Sequence, residues 1–278
     1  MKIINGKTLA ENLRQNIANE VKQYSRPPGL AVLLVGDDEA SQVYVRNKTR
    51  ACVEVGFYSD QIHKSANITE EELLSEVNRL NENETIDGIL VQLPLPPHID
   101  SNRIIEAIIP EKDVDGFSSE NVGKLSLNKP FISPCTPKGI MKMLDSIKCD
   151  LKGKDCVIVG ASNIVGRPMS MELLNAGATV QVCHKETKEI TQKTKSADVI
   201  IAAAGVAHLV KSDWVKEGAI IIDVGINRLE DGKLVGDVDF EDVKDKVSAI
   251  SPVPGGVGPM TIACLLKNTI DCFKRSQI

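Results

Sequence analysis

Aromatic side chains are scarce in this chain: one Trp, three Tyr and five Phe among 278 residues, 3% of the total. So few rings exclude a nucleic-acid platform of interleaved stacking aromatics and leave the core to aliphatic side chains. Positive charge is not in excess either. With 33 Lys and Arg against 38 Asp and Glu, the net charge of −5 argues against a nucleic-acid or anionic-membrane surface. The seven cysteines are odd in number and contain no C-x-x-C. Several stand inside apolar runs, such as Cys156 in DCVIVG and Cys183 in VQVCH, which fits buried thiols in a reducing compartment rather than a disulfide framework. Histidines 63, 98, 184 and 208 are isolated, without the spacing of a zinc site, so no metal is expected. The longest apolar run, Val199 to Val210, contains His208 and is roughly half the length that crosses a bilayer. The opening MKIINGKTLAENL lacks a charged leader followed by a long apolar stretch. The expectation is a cytoplasmic protein with neither nucleic-acid nor membrane partners.

What is present is aliphatic and ordinary in charge, 42% hydrophobic and 26% charged, as in globular domains. The length allows one or two of them. Leu9, Leu13, Ile17 and Val21 recur every fourth residue and predict a helix over about 7–22. After Pro27-Pro28-Gly29, LAVLLVG (30–36) is apolar on both faces and strand-sized. A helix over about 39–55 should end at Gly56, and Thr69 with Glu72 is a capping-box signature opening another. DGILVQLP (87–94) predicts a second buried strand, and a short helix is expected over about 101–109. Residues 111–137 carry Gly, Ser, Asn and Pro without periodicity and read as a linker or domain boundary.

After a helix over about 138–147, strands are expected at 155–160, 178–184, 197–205 and 219–225. Continuous aliphatic strands separated by helical patterns call for a parallel sheet covered on both faces. The last helix, MTIACLLKNTIDCFKR, is expected to pack back on the first domain. The predicted fold is therefore α/β with two α/β domains and a cleft between them, the second a Rossmann-like doubly wound parallel sheet. Residues 1–120 with the terminal helix 258–278 form one domain, and 137–250 the other.

Five places carry polar groups where ligand chemistry is plausible on physical grounds. GASNIVGRP (160–168) follows a strand and opens a helix, where doubly wound sheets seat a dinucleotide pyrophosphate. It is not G-x-G-x-x-G, because Ser162 stands in place of the second glycine, and a plain tight turn at Gly160 explains it equally well. The next strand ends in Cys183-His184-Lys185, basic rather than acidic, favouring NADP over NAD with Lys185 as the contact; a solvated loop lysine is the alternative. In ASQVYVRNK, Ser41, Tyr44 and Lys48 share one helix face, either a solvated face or one turned to chemistry. The Y-x-x-x-K pair of short-chain dehydrogenases is disfavoured, since there the pair follows the cofactor turn. Gln92 ends a buried strand, where such sheets bind ligands, or else satisfies loop backbone. Asp113 and Asp115 in KDVDGF bind a ligand's amino groups or cap a turn with Gly116.

The ordered set YVRNK, DGILVQLPLP, PEKDVDGF, PCTPKG, GASNIVGRPMS, GAIIIDVGIN, VGDVDF and PVPGGVGPMT resembles the bifunctional methylenetetrahydrofolate dehydrogenase/cyclohydrolase family in its bacterial two-function form. The resemblance runs from about Ile4 to the final helix, and QLPLP and PGGVGPMT are its most specific signatures. It implies a homodimeric enzyme of one-carbon metabolism, feeding purine biosynthesis, with NADP as cofactor and tetrahydrofolate derivatives as substrates. Residue by residue, it implies Lys48 as the catalytic lysine and Gln92 as the glutamine that tunes it. Tyr44, on the same face as Ser41, would stack on the p-aminobenzoyl ring, and Asp115 would grip the pterin. Gly160, Ala161 and Ser162 would form the cofactor-phosphate loop, and Ile226 a cofactor contact on the nicotinamide side. Some relatives carry Arg where Ala161 stands, leaving His184 and Lys185 as the basic candidates for the 2′-phosphate. The competing readings are another two-domain Rossmann dehydrogenase, of the shikimate or amino-acid type, and a cofactor-sensing module without turnover.

Overall fold

The computed structural model describes residues 1–277. In chain order the first part forms β1 (Lys2–Ile3), α1 (Gly6–Val21), β2 (Gly29–Val35), α2 (Glu39–Val55), β3 (Tyr58–Lys64), α3 (Glu70–Glu82), β4 (Gly88–Val91), α4 (Ser101–Glu106) and α5 (Ser119–Ser126). The second part forms α6 (Cys135–Ser146), β5 (Asp155–Val159), α7 (Gly166–Asn175), β6 (Thr179–Cys183), α8 (Ile190–Thr194), β7 (Val199–Ala202) and β8 (Ile220–Asp223). It closes with β9 (Asn227–Arg228), β10 (Leu234–Val235), α9 (Phe240–Val243), β11 (Ala249–Ile250) and α10 (Val257–Ser276). The chain divides into two compact units, one of residues 11–135 with Ile262 onward, the other of residues 1–10 with 136–261.

In the first of these, β2 is the centre of a parallel three-stranded sheet in the order β3-β2-β4. All seven residues of β2 are buried, as its doubly apolar sequence requires. The edge strand β3, YSDQIHK, pairs with β2 over its whole length; its polar, half-exposed side chains left no apolar run to read. Asp38 caps α2, accepting from the Ser41 N–H at 2.7 Å, and Gly56 ends it at φ +83°. Thr69 and Glu72 close the expected capping box on α3.

Residues 111–135 are not a linker. Ile89 of β4 bridges to Asp113, and α5 buries Asn121 and Leu125. The boundary falls at the end of this segment, between residues 135 and 136. Helix α5, SENVGKLS, escaped a periodicity search because its eight residues include a glycine and two serines. From α10, Asn268 donates to the carbonyls of Val114 and Ser133 at 2.8 and 2.9 Å.

The other unit holds a six-stranded parallel sheet in the order β1-β11-β8-β7-β5-β6. Its core is aliphatic: Val157, Val159, Ile200, Ile221 and Ile250 pack in one cluster. The first ten residues belong here because β1 extends the sheet beside β11, pairing Lys2 with Ala249 and Ile3 with Ile250. One strand departs from the expected two-sided cover. β6 is the far edge, and Thr179, Gln181 and Val182 are exposed.

Candidate active site

Within residues 11–135 the structure brings Lys48 and Gln92 together. Lys48 lies in the third turn of α2, and Gln92 is the first residue past β4. The Gln92 N–H still donates to Leu33 at 2.9 Å, so the β2–β4 ladder fixes its backbone. Its side-chain amide N–H donates to the Leu93 carbonyl at 2.7 Å, which turns Oε1 outward to accept from Lys48 Nζ at 2.9 Å. The ammonium is thus bound to a neutral amide rather than to a carboxylate, so its charge is oriented but not cancelled.

Tyr44, one turn earlier on the same helix face, is 37% exposed, and burial of part of its ring pushes the phenol pKa upward. Ser41 is buried in the first turn, where its N–H bonds Asp38.

The two aspartates of KDVDGF have separate tasks. Asp113 is buried, and its carboxylate accepts from the N–H groups of Gly116 (2.9 Å), Phe117 (3.2 Å) and Ser118 (2.8 Å) and from the Asn121 amide (2.9 Å). It is the capping group of the turn. Asp115, half-buried two residues on, is pushed up to about 6 by desolvation, against the pull of the Lys48 charge and with a further push from Asp113. Asp115 also borders a small recess whose walls include Val91, Leu93, Ile108 and Phe117. Lys48 and Gln92 therefore offer an oriented cation and an amide, with the Asp115 carboxylate within reach of the Lys48 charge and itself lining the recess.

In the other unit, Gly160 follows β5 at φ +128°, and a Cβ there would lie 2.0 Å from the Ala203 carbonyl oxygen. A Cβ on Gly166 would lie 2.1 Å from the Gly160 oxygen. Only glycine permits this close return of α7 onto the strand end, and the turn leaves Ser162, Asn163 and Ile164 exposed. Ser162 orders the turn, its hydroxyl accepting from the Val165 N–H at 3.2 Å and its carbonyl from Arg167 at 3.0 Å. Such a turn at a helix N-terminus fits a pyrophosphate. Ala161 is half-buried in it.

Lys185 stands apart with its side chain 91% exposed, 4.0 Å from Glu186. Ile226, after β8, is 48% exposed. Sequence reading assigned nothing to Asp223 and Asp237, yet both are buried and bonded to loop backbone at the ends of β7 and β8. For Asp223 an aspartate closing an aliphatic strand, with a glycine two residues on, was a faint local signal; Asp237 carried none. Among the described residues no group of three His, Cys, Asp or Glu is placed to hold a metal, and no helix is long and apolar enough to cross a membrane.

Comparison with known proteins covers both units. Residues 4–115 match the family model for the tetrahydrofolate dehydrogenase/cyclohydrolase catalytic domain, and residues 134–277 match its NAD(P)-binding domain. The bifunctional protein FolD of Vesicomyosocius okutanii subsp. Calyptogena okutanii is 61% identical over 274 residues, 99% of each chain. The structure of the bifunctional FolD methylenetetrahydrofolate dehydrogenase/cyclohydrolase from Campylobacter jejuni is 54% identical, with a TM-score of 0.97 over 99% of both chains. That of the Trypanosoma brucei enzyme, complexed with NADP cofactor and an inhibitor, is 40% identical with a TM-score of 0.95, covering 99% of this chain and 98% of that one.

Proposed function

The chain belongs to the tetrahydrofolate dehydrogenase/cyclohydrolase family, and from that premise we propose that it is a bifunctional one-carbon folate enzyme. It oxidises 5,10-methylenetetrahydrofolate to 5,10-methenyltetrahydrofolate with NADP, then hydrolyses that product to 10-formyltetrahydrofolate. The observation that carries the reading is the 2.9 Å bond between Lys48 and Gln92, inside the portion that matches the family's catalytic domain. A dehydrogenase of the shikimate or amino-acid type would leave that match unexplained.

NADP, when bound, supplies a nicotinamide that takes up the hydride leaving the methylene carbon. The turn from Gly160 to Gly166, which has no room for a Cβ at either end, fits its pyrophosphate, so Gly160, Ala161 and Ser162 would hold the phosphates. Ile226 would offer an apolar contact, and Lys185, fully in solvent, the charge for a 2′-phosphate. The oxidised carbon shares its positive charge with two ring nitrogens, so the first step asks the protein mainly for positioning. Tyr44 supplies a flat face for the p-aminobenzoyl ring, Asp115 accepts from pterin N–H groups, and Ser41 seats the helix turn that carries Tyr44.

Hydrolysis makes the larger demand. Water adds to the methenyl carbon, one carbon–nitrogen bond breaks, and both water protons leave, one released to solvent and the other carried to the freed nitrogen. Lys48 moves that proton, and Gln92, itself clamped by Leu93, holds the Lys48 nitrogen where the water must sit. We assign the folate site to residues up to about 120 with the terminal helix, and the NADP site to 137–250.

The homodimer is proposed to form through the cofactor unit. Its β6 edge has unpaired backbone, and Val182 and Leu174 beside it are 37% and 55% exposed, a pairing surface if left bare. A cytoplasmic location and a place in purine supply complete the reading. The test is direct: purified protein is given methylenetetrahydrofolate with NADP or NAD, and NADPH, the methenyl absorbance and 10-formyltetrahydrofolate are followed. The reading requires folate-dependent NADPH formation with a methenyl intermediate. Reduction of NADP by another substrate alone, or nucleotide binding without turnover, overturns it.

A further inference from the structure

At the C-terminal ends of β7 and β8 two buried carboxylates each bind the other's segment of chain. Asp237, wholly buried, accepts from the N–H groups of Ala204 (2.6 Å), Gly205 (2.9 Å) and Val206 (3.0 Å), and from the Asn227 side-chain amide (2.9 Å). Asp223 accepts from the N–H groups of Gly225 (3.0 Å), Asp237 (2.9 Å) and Val238 (3.0 Å). Two glycines make the crossing possible. A Cβ on Gly225 would lie 2.1 Å from an Asp237 oxygen, and one on Gly236 would lie 1.8 Å from an Asp223 oxygen. A buried anion is tolerable only when donors surround it. Here six of the seven donors are backbone N–H groups, four of them in the loops that follow β7 and β8 and two, Asp237 and Val238, in the segment past β10.

Those loops occupy the edge where a doubly wound sheet presents its ligand. They also contact the phosphate turn, since Gly160 has no room for a Cβ against Ala203. Two residues within them are apolar and exposed: Val206 at 50% and Ile226 at 48%. Both are held in place from beneath. The Val206 N–H is bound by Asp237, and Ile226 lies between Gly225, bound by Asp223, and Asn227, bound by Asp237. Exposed apolar side chains on rigidly anchored backbone suit a flat partly apolar ligand.

We propose that Asp237, braced by Asp223, is a positioning residue for the dinucleotide, fixing the two loops that present Val206 and Ile226 to it. This rests on the NADP reading above. Preorganised loops spare the ligand the ordering of the site, so loosening them weakens binding without touching the reacting atoms.

The test is Asp237→Asn, which keeps the shape but turns an N–H₂ toward the loop donors. Calorimetry of NADP binding well below the melting temperature should show about tenfold weaker affinity. Amides 204–206 of the ligand-free protein should exchange faster with deuterium, and KM for NADP should rise while kcat at saturation holds. A role in stability alone would lower the melting temperature and leave affinity and KM unchanged, and that result overturns the proposal. Should Asp237→Asn not fold, Asn227→Ala removes a single bond and should weaken NADP binding about threefold; unchanged binding in that variant overturns it as well. Wild-type protein that binds neither NADP nor NAD overturns the nucleotide reading itself, a failure distinct from a wild type that binds and a variant that binds equally.

Discussion

Replacing the aspartates of KDVDGF one at a time should move stability in opposite directions. Asp113 gathers four donors onto one carboxylate, three of them backbone N–H groups of the turn at 116–118. Hydrogen bonds to a charged acceptor are worth about 1.5–3 kcal/mol each and do not add, so Asp113→Ala should cost about 4 kcal/mol. That is a large part of the margin by which a domain is stable.

Asp115 behaves the other way. Desolvation first, and the nearby Asp113 charge in addition, raise its pKa from 3.8 to about 6, although Lys48 pulls it down. A carboxyl held above its unfolded pKa leaves stability whole below about 4, where it is neutral in both states, and stability is lost as pH rises through about 6. The raised pKa corresponds to up to about 3 kcal/mol, and the partial exposure of Asp115 reduces the expectation to about 1–2 kcal/mol. Asp115→Asn cannot ionise, so it should be more stable than wild type at pH 8, with the gap closing toward pH 4, while folate binding falls. Urea unfolding followed by far-UV circular dichroism at several pH values measures this. The single tryptophan, Trp214, lies in the other unit, and its fluorescence serves as an internal reference. An Asp115→Asn protein no more stable than wild type at pH 8, or an Asp113→Ala protein within about 1 kcal/mol of it, would refute the reasoning.

Three further outcomes are expected. Gly166→Ala drives a Cβ against the Gly160 oxygen and should abolish NADP binding by calorimetry while lowering the melting temperature. Asn268→Leu removes the amide donor of the Val114 and Ser133 carbonyls, leaving Val114 the weaker Cys135 thiol; it should destabilise by about 2–3 kcal/mol in urea unfolding and raise KM for folate by loosening the residue before Asp115. Val182→Lys places a charge on the exposed β6 edge and should convert a dimer to a monomer by light scattering, with the circular dichroism spectrum preserved.

Much of the fold was legible because the elements that position the site carry strong local signals. The doubly apolar β2, the Gly56 stop and the Thr69–Glu72 box each state one thing, and neighbouring signals agree. What stayed hidden lacked such a signal. β3 is polar because it is an edge, and α5 is short and rich in Ser and Gly. The two-residue strands β1 and β11 exist only through their pairing with each other and with β8. In the site, spacing put Tyr44 and Lys48 on one face, but the resemblance to a family was needed to pair Lys48 with Gln92, 44 positions away. Asp113 and Asp115 were indistinguishable as letters; only the four donors around Asp113 separate a turn cap from a candidate ligand group. Asp223 and Asp237 were missed for the same reason, since a carboxylate's partners here are backbone N–H groups that no sequence letter marks.

The central claim is that Lys48, held by Gln92, handles the proton of the hydrolytic step. Lys48→Met, assayed for both reactions with methylenetetrahydrofolate and methenyltetrahydrofolate, tests it most directly. The account predicts that cyclohydrolase activity disappears while NADP-dependent oxidation survives and methenyltetrahydrofolate accumulates. Equal retention of both activities would contradict it.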